Sequence, residues 1–371
     1  MNPIQCCLLS LISSVVLFVT TTPLLAQSLT APQPRLPRDN LLVYRDANNQ
    51  PQPVRSPADW LKRRAEIVHG MQLVMGKLPG KEKRCELDMQ VVEDIDCGTY
   101  TRRLVTYASE PNCRTPAYLL VPKAVLNGQQ QARAVLCLHG TDNVVGHGTV
   151  VGLGTRPNRQ YAQELAERGY VTLAPNYPLL AKYYPDITAL GWESGTLKAV
   201  WDNMRGLDLL ESLPYVRKGE FAVIGHSLGG HNSVYTAVFD ERIKAVVSSC
   251  GLDSFLDYYG GAESHWEPEK GWTQTRYMPR LRDYKGRLPD IPFDFHELIG
   301  ALAPRRVLII APLHDNNFRA DSVDRVAAAA LPIFKLHNAA DHLRVEHPDY
   351  AHDFLPEMRE AAYKFIDASI K

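Results

Sequence analysis

At 371 residues the chain is long enough to bury a large core, and one α/β domain of roughly 250 residues or more fits within it. Lysine plus arginine number 41, as do aspartate plus glutamate, so no charge excess points to nucleic acid or an anionic membrane as partner. A content of 45% hydrophobic and 22% charged residues excludes a disordered or fibrous protein.

The first 26 residues stand apart. Residues 6–12 and 15–19 make an apolar run of signal-peptide length, and Ala26 offers a small residue at a cleavage point before Gln27. No lysine or arginine precedes the run, and it is short for a full membrane span. The expectation is a signal peptide over 1–26 and a secreted or periplasmic protein without a membrane span after cleavage; an uncleaved anchor is the alternative. Cleavage leaves Cys85, Cys97, Cys113, Cys137 and Cys250. Cys137 lies within an apolar run and Cys250 ends one, and both read as buried thiols. The other three, Cys85, Cys97 and Cys113, fall close together in an exported chain, where one disulfide among them is expected, with Cys85–Cys97 as the first candidate pairing. Their spacing matches no zinc site.

Residues 27–84 read as an N-terminal extension with one helix. The stretch 27–55 is rich in Pro, Gln and Asn, and 60–75 has helical periodicity after the start signal Ser56-Pro57. From 85 onward a catalytic domain is expected. Residues 89–93, 100–107 and 117–121 read as antiparallel strands. After Gln129-Gln130-Gln131, strands at 134–139, 170–174, 221–224, 243–249, 306–311 and 333–336 alternate with helices near 160–168, 196–213, 229–239 and 321–330. A last helix covers 355–369. Such alternation predicts an α/β fold with a mostly parallel sheet covered by helices on both faces, preceded by antiparallel strands.

The chemistry follows the same order along the chain. His139-Gly140-Thr141 ends the 134–139 strand and brings backbone close to the sheet's carboxyl edge. Gly225-His226-Ser227-Leu228-Gly229 lies between the 221–224 strand and a helix, the context in which a G-x-S-x-G turn lifts a serine Oγ clear of the sheet. The first N–H groups of that helix then face whatever Ser227 attacks. A serine needs a base to take its proton and an acid to orient the base. Asp315, just beyond the 306–311 strand, is the expected acid. Asp253 is the fallback and Asp341 a later option. His352, before the final helix, is the expected base, with His342 and His347 sharing its loop. Asp353 is expected to cap that helix. The oxyanion of the tetrahedral intermediate is expected to meet the backbone N–H groups of Leu228 and Thr141.

Residues 253–297 show no alternation but many aromatics. This insertion is expected to cover the site, with Tyr258, Trp266 and Trp272 as substrate-binding surfaces. Packing within the insertion itself is the competing role for these side chains.

The set His139-Gly140-Thr141, Gly225–Gly230, Ala311-Pro312-Leu313-His314-Asp315 and His352-Asp353-Phe354 resembles the α/β-hydrolase superfamily. Within it, the chain is similar to an exported branch grouped with dienelactone hydrolases, acetyl xylan esterases and prolyl-oligopeptidase-type catalytic domains. The resemblance covers 85–371 and implies hydrolysis of carboxylic esters, with no cofactor and no metal. Dienelactone hydrolases use cysteine where Ser227 stands. No propeller domain precedes the catalytic region, which speaks against an oligopeptidase. By analogy, the aromatic insertion suggests acyl or methyl esters on carbohydrates as substrates. A peptidase or amidase with the same triad and a non-catalytic binding protein on the same fold are the rival expectations. No dinucleotide fingerprint or phosphate-binding loop occurs.

Overall fold

The computed structural model describes residues 35–126 and 131–370, so the expected signal peptide lies outside the described residues. A hairpin of β1 (Val43–Arg45) and β2 (Pro51–Pro53) leads into helix α1 (Pro57–Met75). The Ser56 hydroxyl accepts a hydrogen bond from the Asp59 N–H at 3.2 Å, and Pro57 occupies the first turn, where no N–H is needed. The strands that follow are β3 (Gln90–Asp96), β4 (Tyr100–Glu110) and β5 (Cys113–Pro122), then the short helix α2 (Lys123–Leu126). Next come β6 (Ala132–Leu138), α3 (Tyr161–Glu167), β7 (Val171–Pro175), α4 (Gly195–Ser212), β8 (Val216–His226) and α5 (Leu228–Phe239). The chain continues through β9 (Ile243–Ser249), α6 (Phe295–Leu302), β10 (Arg306–Ile310), α7 (Ala320–Leu336), β11 (Leu343–Glu346) and α8 (Pro356–Ser369).

Nine strands form one sheet in the order β11-β10-β9-β8-β6-β7-β5-β4-β3. Neighbours from β11 to β7 are parallel, and β5, β4 and β3 extend the sheet antiparallel. The central strands are apolar on both faces because helices cover both. Leu136, Val223, Val246 and Ile309 point into one core, while Val135, Ile224, Val247 and Leu308, their neighbours in sequence, point into the other. Helix α1 joins the first core through Trp60, Ile67, Met71 and Val74. Among the described residues no helix is long and apolar enough to cross a membrane.

Three expectations fail here for identifiable reasons. Residues 333–336 are the last turn of α7, not a strand. Ile333 and Phe334 continue the buried helical face of Val323, Val326 and Ala330, and the final strand is β11. The 253–297 segment is not irregular to its end, since α6 starts at Phe295. Asp294 and Glu297 form a capping box: the Asp294 carboxylate accepts from the Phe295 N–H at 2.7 Å and Glu297 from the Asp294 N–H at 2.7 Å. The Cys85–Cys97 disulfide is absent, and all five described cysteines are free thiols. Cys97 adjoins Tyr100 at one end of β4 and Cys85 adjoins Ala108 near the other. Eight residues of strand hold the two thiols roughly 25 Å apart.

Candidate active site

After β6 the chain adds β7 on one side and then returns to lay β8 on the other. The crevice above the carboxyl ends of β6 and β8 is therefore a topological switch point, where open α/β sheets bind ligands. Ser227 stands at that point. Its backbone has φ 56° and ψ −124°, a conformation an L-residue adopts only in a tightly constrained turn. The constraint comes from the flanking glycines. A Cβ at Gly225 would lie 2.2 Å from the Gly229 carbonyl, and one at Gly229 would lie 1.9 Å from the Leu138 carbonyl oxygen. The turn that exposes Ser227 can close only without those side chains.

His352 and Asp315 meet above the same edge. Nδ1 of His352 donates to Oδ2 of Asp315 at 2.8 Å, with the Asp315 side chain only 1% exposed. The other carboxylate oxygen accepts the N–H groups of Asn317 at 2.7 Å and Phe318 at 3.2 Å, which fixes its orientation. With the proton on Nδ1, Nε2 is left as an acceptor. The His352 ring lies 4.9 Å from that of His226, the residue preceding Ser227. Ser227 Oγ itself has no hydrogen-bond partner among the described residues. Catalytic contacts of this kind tighten when substrate is bound.

The rival residues are engaged elsewhere. Asp253 is buried, accepts the Arg319 N–H at 3.2 Å, and makes no bond to His352. Burial, with Asp257, Asp294 and Asp315 nearby, pushes its carboxyl well above the usual carboxylate range. Asp341 is exposed in the turn before β11. His342 contacts the Pro304 carbonyl, and His347 contacts the Ala311 carbonyl and Asp324. Asp353 does not cap the last helix. Leu355 holds that position, and Asp353 instead pairs with Arg159 and accepts from Asn158 at 2.9 Å.

The loop after β6 is built to present backbone donors. His139 is buried, and its Nε2 accepts the Tyr177 N–H at 2.9 Å, so its Nδ1–H donates to the Gly140 carbonyl at 2.7 Å. Burial lowers its pKa to about 4 and keeps the ring neutral. With that carbonyl held by His139, the next N–H, of Thr141, points the opposite way across the trans peptide. Gly140 abuts Ser227: a Cβ there would stand 3.6 Å from Ser227 Cβ. Neither Thr141 N–H nor Leu228 N–H has a backbone or side-chain acceptor among the described residues. Sequence reasoning missed Tyr277, whose hydroxyl is 3.0 Å from Thr141 Oγ1. Burial raises its pKa, so the hydroxyl stays protonated beside the loop.

The three aromatics expected to bind substrate are brought together, but as a wall rather than a platform. Tyr258, Trp266 and Trp272 are 8%, 1% and 6% exposed. Trp266 packs edge-on against Phe255 and Tyr258, which leaves no ring face for a sugar. Trp272 stacks on His231 of α5 at 4.0 Å and lies 6.2 Å from Phe318, which in turn lies 6.0 Å from His352. One grouping of three metal-donor side chains occurs among the described residues, Cys250, Asp315 and His352, with donor atoms within 4.8 Å of one another. Two of these, Asp315 and His352, are already bonded to each other.

Comparison with known proteins points the same way. The family of fungal glucuronyl esterases matches residues 191–337, a span that includes Ser227 and Asp315. The Bacillus subtilis (strain 168) protein YtaP, described as a hydrolase, is 24% identical over 269 residues, 68% of this chain and 83% of its own. A glucuronoyl esterase from Solibacter usitatus superposes with a TM-score of 0.72 at 20% identity, over 90% of this chain and 98% of that one. The chain shares the α/β-hydrolase fold of this esterase. Acetyl xylan esterase 1 from Thermoanaerobacterium sp. JW/SL YS485 shares this hydrolase fold with a TM-score of 0.51 and 16% identity, over 81% of this chain and 97% of that one.

Proposed function

We propose that this hydrolase cleaves carboxylic esters carried on carbohydrates, through a covalent acyl-enzyme on Ser227. The observation that carries the reading is the 2.8 Å His352–Asp315 bond set above a strained serine turn. Ser227 Oγ attacks the acyl carbonyl while Nε2 of His352 takes its proton, and Asp315 stabilises the imidazolium. The resulting oxyanion accepts from Leu228 N–H and Thr141 N–H, each such donor being worth about 3–4 kcal/mol of transition-state stabilisation. Collapse expels the alcohol, which receives the proton from Nε2. Water, deprotonated by His352, then releases the acid and restores Ser227.

The similarity to glucuronoyl and acetyl xylan esterases supports sugar esters as the substrate class. The apolar leader supports action outside the cytoplasm. A fluorophosphonate is expected to label Ser227, and p-nitrophenyl acetate to give a burst of p-nitrophenol followed by slower turnover. Ser227→Ala is expected to abolish both; turnover near the wild-type rate would overturn the assignment. Acetylated xylan assayed beside a glucuronate methyl ester then separates the two ester types, and a matched anilide tests for amidase activity.

A further inference from the structure

We propose that Arg276 forms an anion subsite beside the oxyanion loop, so that the preferred esters carry a free carboxylate near the scissile bond. This rests on the ester-hydrolase reading above. Arg276 lies on the insertion, its guanidinium 5.3 Å from the centroid of the Tyr277 ring. The Tyr277 hydroxyl touches Thr141, and an Nη1–H of Arg276 donates to Asn143 Oδ1 at 2.9 Å. The cation is thus tied to both the wall and the loop of the candidate oxyanion site.

Its position is fixed from beneath. The first two N–H groups of α4, those of Gly195 and Thr196, donate to the Thr275 and Tyr277 carbonyls, both at 3.1 Å. The Tyr177 hydroxyl donates to the Arg276 carbonyl at 2.9 Å. The backbone that carries Arg276 is therefore held by the same elements that frame the site.

The charge itself is unmatched. Nε–H donates to Gln274 Oε1 at 2.8 Å and one Nη–H to Asn143, both neutral acceptors. Of the five guanidinium N–H groups, the remaining three have no acceptor among the described residues. The nearby acids are spent on other partners. Asp142 accepts the N–H groups of Val144, Val145 and Gly146. Glu269 accepts the N–H and hydroxyl of Thr275, and Glu193 pairs with Arg280 at 2.5 Å. A half-buried guanidinium held in place among already-paired acids presents its free edge to a planar carboxylate, the geometry arginine matches best.

The test compares phenyl acetate with 4-carboxyphenyl acetate, which differ by one carboxylate on the leaving group. Wild-type enzyme is expected to favour the anionic ester in kcat/KM, mainly through KM, and 0.5 M NaCl is expected to narrow that preference. Arg276→Gln is expected to lower the anionic-to-neutral selectivity ratio about tenfold, and Arg276→Lys to retain part of it. A ratio that is the same in wild type and Arg276→Gln overturns the subsite. The salt dependence reads it in wild type, should the variant fold poorly. If wild type neither turns over phenyl acetate nor labels at Ser227, the ester-hydrolase reading fails instead.

Discussion

Asp315→Asn is the sharpest test of the acid. The carboxylate is nearly sealed from water and meets His352 at 2.8 Å, which places the two charge centres about 4 Å apart once the imidazolium forms. At an effective dielectric near 20 that attraction is about 4 kcal/mol. At 1.36 kcal/mol per tenfold, its loss corresponds to about a thousandfold in rate. Asparagine adds a second penalty. Its oxygen is drawn to the N–H groups of Asn317 and Phe318, which turns its NH2 toward His352 and favours the tautomer with the proton on Nε2. That histidine cannot accept the serine proton. We expect kcat for p-nitrophenyl acetate to fall about 10³-fold or more with KM little changed, measured by stopped-flow and steady-state assays. Asp253→Asn is the paired control. Asp253 already tends to its protonated form and still has an oxygen for the Arg319 N–H, so kcat is expected to stay within a few-fold of wild type. If Asp315→Asn retained a tenth of wild-type kcat, or Asp253→Asn lost as much as Asp315→Asn, the assignment of the acid would be wrong.

Two further perturbations test the scaffold. His231 is fully buried against Trp272, and burial lowers its pKa from 6.5 to about 3. Its stability contribution is complete above pH 6.5, where it is neutral folded and unfolded. It is lost as pH falls from 6.5 toward 3, where only the unfolded chain takes the proton. Thermal melts at stepped pH should show a shallower acid limb for His231→Gln than for wild type, and an unchanged limb would refute the argument. Lys198 is fully buried between Glu110 at 2.9 Å and Asp202 at 2.5 Å. Lys198→Met leaves the buried Asp202 carboxylate without a cation, while Glu110 keeps Lys83 at 2.7 Å, and should destabilise the fold by about 3–5 kcal/mol in urea unfolding. Adding Asp202→Asn should recover much of that loss.

What was legible in the sequence was whatever local spacing determines. The elbow could be read because glycine, serine and a following helix must be contiguous for the turn to close, and Ser227 sits where that pattern put it. Asp315 could be read because it follows the apolar run of β10, and His352 because it immediately precedes the last helix. The misreadings came where one local pattern serves two structures. Residues 333–336 are short and apolar, which fits a buried strand as well as the last turn of a helix, and only their phase with Val323 and Val326 separates the two. Asp353 precedes a helix, but Arg159, nearly two hundred residues away in sequence, competes for its carboxylate. Tyr277 and Arg276 had no local signal at all. Their placement depends on hydrogen bonds from the start of α4 to a segment about eighty residues later.

The aromatic insertion meets the candidate triad through packing rather than through exposed ring faces. Helix α5 begins at the residue after Ser227, and its His231 stacks on Trp272 of the insertion. Trp272 adjoins Phe318, whose N–H binds the Asp315 carboxylate and whose ring lies beside His352. Trp272 also adjoins Tyr277, which reaches the oxyanion loop at Thr141. One buried indole thus touches the structural supports of Ser227, Asp315, His352 and the loop after β6. Close-packed side chains transmit small displacements because no void absorbs them. A catalytic geometry that tolerates errors of only about 0.5 Å therefore depends on the insertion even where the insertion never meets the substrate. Under the proposed anion subsite, Arg276 is the charged group that this wall holds beside the loop after β6.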